Sequence, residues 1–100
     1  MILTTTNSIE GYKIEDYLGI VTGVAINEET INIGFSVSKY YRKIQESIDQ
    51  VKETAFQRLQ NNATKLNAHA VVAIKVEIEL TTSNYAMVSV TGTAVKIKTQ

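Results

Sequence analysis

The chain has no cysteine, no proline and no tryptophan, and a single histidine, His69. Without cysteine there is no disulfide, no thiolate nucleophile and no sulfur-ligated metal centre. With one imidazole per copy, a multi-histidine metal site needs several copies, and any nucleophilic triad would have to use His69 itself. The missing indole excludes a tryptophan-lined cofactor pocket. The missing proline means that nothing forbids long, uninterrupted elements. An excess of either charge is also missing: Lys+Arg and Asp+Glu both count 10, for a formal net charge of zero. Capture of nucleic acid needs a clear positive excess, and so does binding to an anionic membrane surface, so neither is expected as a partner.

Long apolar runs are absent as well. No stretch approaches the ~20 residues of a membrane span. The opening Met1-Ile-Leu-Thr-Thr-Thr-Asn-Ser8 has no cationic start and no apolar core, so it does not read as a secretory signal. A cytoplasmic location is the expectation. At 100 residues, 44% apolar and 20% charged, the composition is that of one globular domain spanning residues 1–100.

What is present is periodicity. Tyr17 to Ile26 alternates, the signature of a strand. Leu18, Ile20, Val24 and Ile26 share one side with Thr22. Tyr17, Gly19, Val21, Gly23 and Ala25 share the other, and two glycines on one side of a strand imply that another backbone comes close. After Asn27-Glu-Glu-Thr30 and an ambiguous Ile31-Asn-Ile33, period 3.6 takes over. Tyr41, Ile44, Ile48, Val51, Ala55, Leu59, Ala63 and Leu66 step by three or four, predicting an amphipathic helix. Ser38 is the expected N-cap and Asn67 the expected left-handed terminator. A helix from about Ser38 to Leu66 is about 40 Å long at ~1.5 Å per residue. Ala70 to Leu80 returns to period two, Thr81-Thr-Ser-Asn84 predicts a turn, and Tyr85 to Lys98 predicts a last strand. In that strand Val88 and Val90 share one parity while Val95 and Ile97 share the other, which predicts a β-bulge near Gly92. The two strands form an antiparallel hairpin, and a short strand around Ile2–Thr6 adds to the sheet.

The fold class is therefore α+β: strand–helix–strand–strand, with one long helix on a mainly antiparallel sheet. One helix covers one face of a sheet and leaves the other to solvent or to a neighbour. The residues expected on the uncovered face are Tyr17, Val21, Ala25, Val71, Ala73, Tyr85, Met87, Val95 and Ile97. Such a patch is too apolar to be simply wet, and long strands also present edges, so the expected partner is a second copy, most simply in a closed ring.

Several stretches resemble one family. They are Tyr17-Leu-Gly-Ile-Val-Thr-Gly-Val-Ala25, the early Thr4-Thr-Thr6, the helix end Leu66-Asn-Ala-His-Ala-Val-Val72, and the closing Val88-Ser-Val-Thr-Gly-Thr-Ala-Val-Lys96. In this order they resemble the YbjQ-like family of small bacterial and archaeal proteins, over nearly the whole chain. The resemblance implies a dodecin-like subunit and assembly as a ring, a homopentamer in particular. It also brings a heavy-metal-binding label without an established function. The chain departs from the family pattern at Asn67, where glycine is usual, and at His69, where Asp or Asn is common. Gly34-Phe-Ser-Val-Ser38 stands in place of a glycine- and arginine-rich turn before the helix.

The chemistry-bearing residues are few. Soft metals prefer thiolate or imidazole, and the chain offers only His69, Met1 and Met87. Glu28 with Glu29, or Glu77 with Glu79, suit harder cations but lack calcium-loop spacing. Glu77 and Glu79 share a strand face with Lys75, which reads as a solvated stripe of mixed charge rather than an acid–base pair. No G-x-S-x-G, Walker loop or GxGxxG occurs, so no catalytic residue, metal ligand or cofactor is assigned and the protein is expected not to be an enzyme. The most unusual segment is Lys39-Tyr-Tyr-Arg-Lys43. Its cations sit at the start of the helix, where the dipole favours negative charge. Lys39, Arg42 and Lys43 are thus candidate anion-binding residues, against the ordinary reading in which Tyr41 packs inward and the cations are solvated or pair with Glu46. The functional expectation is an oligomer-forming structural or small-ligand-binding module, the ligand unspecified. The alternative is a metal-binding or metal-responsive protein with its site between subunits.

Overall fold

A computed structural model describes residues 1–27, 37–80 and 85–100. Its elements are β1 (Ile2–Leu3), β2 (Tyr12–Ile26), α1 (Val37–Lys65), β3 (Ala70–Leu80) and β4 (Ala86–Thr99). They form a mixed four-stranded sheet in the order β1-β3-β4-β2 with α1 packed on one face. The expected strand–helix–strand–strand order holds, with β3 and β4 antiparallel and β1 pairing parallel to β3. The expected turn at 81–84 and the segment 28–36, which holds Ile31, Ile33, Gly34, Glu28 and Glu29, lie outside the described residues.

The helix starts at Val37, so Ser38 lies inside its first turn and does not cap it. Its end follows the expectation. Asn67 has φ +60°, Asn67 N–H donates to Thr64 O, and Ala68 N–H reaches back to Ala63 O at 3.1 Å. That pair of bonds is a Schellman closure, which needs a residue able to sit in the left-handed region. Ala68 then packs against the core. Of the helical stripe, Val51, Ala55, Leu59 and Ala63 are buried, whereas Tyr41 is 65% exposed and Leu66 41%. Before Val51 none of the described residues of α1 is fully buried, and Ile44 and Ile48 are half-buried.

β2 is longer than its alternation suggests. It begins at Tyr12, and the ladder to β4 slips between Ile14 and Asp16 and again between Tyr17 and Gly19. The second slip separates Tyr17 from the regular alternation that runs from Gly19 to Ile26, and it is the helix that takes the side expected to be uncovered. Val21, Gly23 and Ala25, assigned to an uncovered face by parity, meet the helix. Ile20, Val24 and Ile26 lie on the side away from it and are exposed. Val71 is likewise in the helix-side core rather than on the uncovered face. The two glycines have different reasons. A Cβ on Gly23 would fall on the Ala55 carbonyl and 2.6 Å from Leu59 N, so strand and helix backbones are close there, as the sequence implied. Gly19 has open space around it and φ +130°, so its role is conformational, at the slip in the ladder.

The expected bulge near Gly92 is in the ladder but on the other strand. β4 is regular, and β3 slips between Val72 and Lys75, with Ala73 at φ +54°. Two β3 residues face Gly92, where a Cβ would lie 2.6 Å from the Val71 side chain and 2.9 Å from that of Ile74. The parity change along β4 has another cause. Val88, Val90 and Ala94 belong to the helix-side core, whereas Val95 joins Ala70 and Val72 in a second cluster, flanked by Ile9, Ile14 and Ile97. The far face of the sheet is thus covered at one end by the chain's own N-terminal segment.

Gly23→Val is expected to lower the unfolding free energy by about 1–3 kcal/mol, because helix and strand must separate to admit the side chain. Urea denaturation at fixed protein concentration measures this. In the same assay Asn67→Ala is expected to cost about 1 kcal/mol for a left-handed backbone with no amide to favour it, while Asn67→Gly loses nothing.

Candidate functional site

The close approach at Gly23 sets α1 over β2 and β4, so part of the same sheet face stays bare. Val76, Ile78 and Leu80 of β3 pair with Val90, Val88 and Ala86, which are fully buried beneath the helix side of the sheet. Paired residues share a face, yet Val76 is 40%, Ile78 46% and Leu80 59% exposed. The outer edge of β3 carries the same asymmetry. The N-terminal segment covers its first part, through Thr4 N–H to Val71 O, Ala73 N–H to Thr6 O and Ile74 N–H to Thr4 O. Beyond Ile74 no described residue pairs with that edge. On the opposite face, Tyr17, Ile20, Val24 and Ile26 of β2 form a second exposed apolar stripe.

The sequence-derived candidates fare unevenly. Lys39, Arg42 and Lys43 all lie in the first two turns of α1 and are exposed, and that first turn holds no acidic residue. Their spacing of three and four places them on one helix face. Among the described residues none is ion-paired with Glu46, and Tyr41 beside them is exposed rather than packed inward. Glu77 and Glu79 are exposed on the face away from the helix, in the stripe with Lys75, as expected.

His69 has a structural place. Its backbone N–H donates to Val95 O at 2.9 Å, and its Nδ1 accepts from Ile97 N–H at 3.1 Å. The same Nδ1 lies 3.1 Å from Ile97 O, to which it donates in the other tautomer, so in either form the imidazole acts as one more rung between β3 and β4. Among the described residues no three His, Asp or Glu side chains come together, and no polar or charged side chain is buried. A groove along the outer face of α1, lined by Gln50, Glu53, Thr54, Gln57, Arg58 and Asn61, is open to solvent on its polar floor. No helix among the described residues is long and apolar enough to cross a membrane.

What sequence reasoning missed is the bare β3 stripe. In the sequence Val76, Ile78 and Leu80 simply continue the period of Val72 and Ile74 as one apolar side. A signal was available: the buried helix positions include Ala55 and Ala63, whose small side chains demand a small-residue partner, and β2 has Gly23 and Ala25 where β3 has branched residues.

The architecture is that of a small two-layer α+β protein. The chain belongs to the YbjQ-like family, described as "Putative heavy-metal-binding", which it matches over residues 1–98. It is 37% identical to a UPF0145 protein of Geobacillus thermodenitrificans over 108 positions, covering 98% of this chain and 100% of that one. A UPF0145 protein of Corynebacterium jeikeium is 36% identical over 104 positions, covering 95% of this chain and 97% of its own. A protein of unknown function from Pediococcus pentosaceus, of the DUF74 family, has a crystal structure that matches with a TM-score of 0.69 over 98% of both chains. At 20% identity that likeness is one of fold.

Lys39→Glu replaces an unfavourable cation at the helix start with a favourable anion. It is expected to raise stability by about 0.3–1 kcal/mol at low salt, read as an increase in Tm that fades as salt is added. A decrease in Tm instead, reversed by removing phosphate from the buffer, is the outcome expected if Lys39 holds an anion.

Proposed function

We propose that this protein works as an assembly of identical copies, a ring homo-oligomer serving as a structural or small-ligand-binding module rather than an enzyme. The observation that carries the reading is the pair of bare apolar stripes, Val76-Ile78-Leu80 on the helix side and Tyr17-Ile20-Val24-Ile26 on the other. Contiguous apolar patches of this kind mark interfaces. The dimensions support it: the radius of gyration is 16.5 Å, against ~13 Å for a compact 100-residue domain. A five-membered ring is the number favoured by the family resemblance, and the open β3 edge supports contacts that extend the sheet. Zero net charge leaves little repulsion between copies. A cytoplasmic location fits a chain without cysteine.

A second reading has a specific observation behind it, the description attached to the matched family. In that reading the protein binds or responds to a metal, and the ligands come from more than one copy, because one chain supplies a single imidazole. Ligation through Nε2 of His69 uses the tautomer in which Nδ1–H donates to Ile97 O.

Light scattering behind size exclusion is expected to return a mass several times 11.1 kDa at micromolar concentration; an 11 kDa particle ends the oligomer reading. Native mass spectrometry of untagged protein separates the two readings, since a retained zinc, copper or cadmium ion supports the second and bare subunit multiples support the first.

A further inference from the structure

The two long edges of the sheet are treated differently. β2 is an edge strand, and in an antiparallel pair every second residue turns both its N–H and C=O away from the partner strand. Thr22 and Val24 are two successive residues of that outward set: the carbonyls of both accept from outside the sheet. Arg58 Nη1 donates to Val24 O at 2.6 Å, and Asn62 Nδ2 donates to Thr22 O at 2.8 Å. The spacing fits. Four residues of helix rise ~6 Å and two residues of strand ~6.8 Å, so side chains one helical turn apart reach alternate carbonyls in register. Both donors come from α1, which the Gly23 contact holds beside this edge. The guanidinium bond is charge-assisted, the stronger kind.

We propose that Arg58 and Asn62 form an edge lock, occupying the acceptors that an added strand from another copy of the chain would use and keeping β2 out of sheet extension. The need is physical. β2 is 15 residues long, and in this stretch its side away from the helix exposes Ile20, Val24 and Ile26. A long apolar edge strand with free acceptors invites open-ended pairing. Natural sheets commonly place charge on such an edge, and here the charge is delivered from the helix. On β3 no such guard reaches the Lys75–Leu80 edge among the described residues. Strand addition between copies is thereby directed to one edge. The lock itself requires no particular subunit number and does not rest on the oligomer reading.

The test compares wild type with Arg58→Met/Asn62→Leu, which removes both donors while keeping helix-forming, space-filling side chains, and with Arg58→Lys/Asn62→Gln, which keeps donors. Each is incubated at 37 °C and followed by light scattering and thioflavin T fluorescence, with helix content checked by circular dichroism. Growth of mass and fluorescence in Arg58→Met/Asn62→Leu, at least several-fold over wild type and absent from Arg58→Lys/Asn62→Gln, is the expected result. Superimposable profiles with helix content intact overturn the proposal. If the double apolar variant loses its helix, the single changes Arg58→Met and Asn62→Leu replace it, and unchanged profiles for both overturn the proposal equally.

Discussion

The contact between Gly23 and the backbone of α1 governs the arrangement of everything around it. A helix normally rides on a sheet at a distance set by its side chains, but here glycine on the strand and Ala55 on the helix bring the two backbones together. Such an approach is possible only where neither side has bulk. It draws the helix toward β2 and β4, buries Val88, Val90 and Leu59 completely, and leaves the outer part of β3 without a roof. The covered and uncovered regions of one sheet face are therefore two consequences of the same contact. So is the reach of Arg58 and Asn62 to the β2 edge, which a helix centred on the sheet would not achieve.

The sheet resolves its own irregularities in a related way. The bulge in β3 puts Val71 and Ile74 on the same side, both over Gly92, and thereby changes which residues face the helix midway along the strand. Below the bulge, Val72 and Ala70 turn to the far face, where Val95 and the N-terminal segment meet them. Above it, Val76, Ile78 and Leu80 turn to the helix side and find no helix. One inserted residue allows a single sheet to carry two small cores on opposite faces, which suits a chain too short for one large core.

Element types were legible in the residues because periods of 2 and 3.6 are local properties, and the helix end was legible because Asn67 carries its conformational preference with it. The assignment of faces was less so. Parity along β2 is regular from Gly19 to Ile26 but does not itself say which side meets the helix, and the slip at Tyr17–Gly19 that sets Tyr17 apart depends on the partner strand. Gly92 announced an irregularity, yet the strand that bulges is the one across from it, since a glycine can accommodate a neighbour's extra residue as readily as its own. The expected N-cap at Ser38 falls inside the helix, which includes Val37. The candidate cations Lys39, Arg42 and Lys43 could be located from sequence, and all three are exposed.

The distribution of chemistry in the molecule follows from this geometry. Where the chain is buried, it is apolar throughout the described residues, with no polar side chain held out of water. A specific site for a small molecule or ion needs a few polar groups fixed in a partly dry pocket, and the described residues bury no polar side chain. The charged and aromatic residues are instead on surfaces that project: the overhanging start of α1, the Lys75-Glu77-Glu79 stripe, and Tyr17. Desolvating any of these takes a surface brought from outside. The β3 stripe and the start of α1 are exposed surfaces of different character, one apolar and the other cationic.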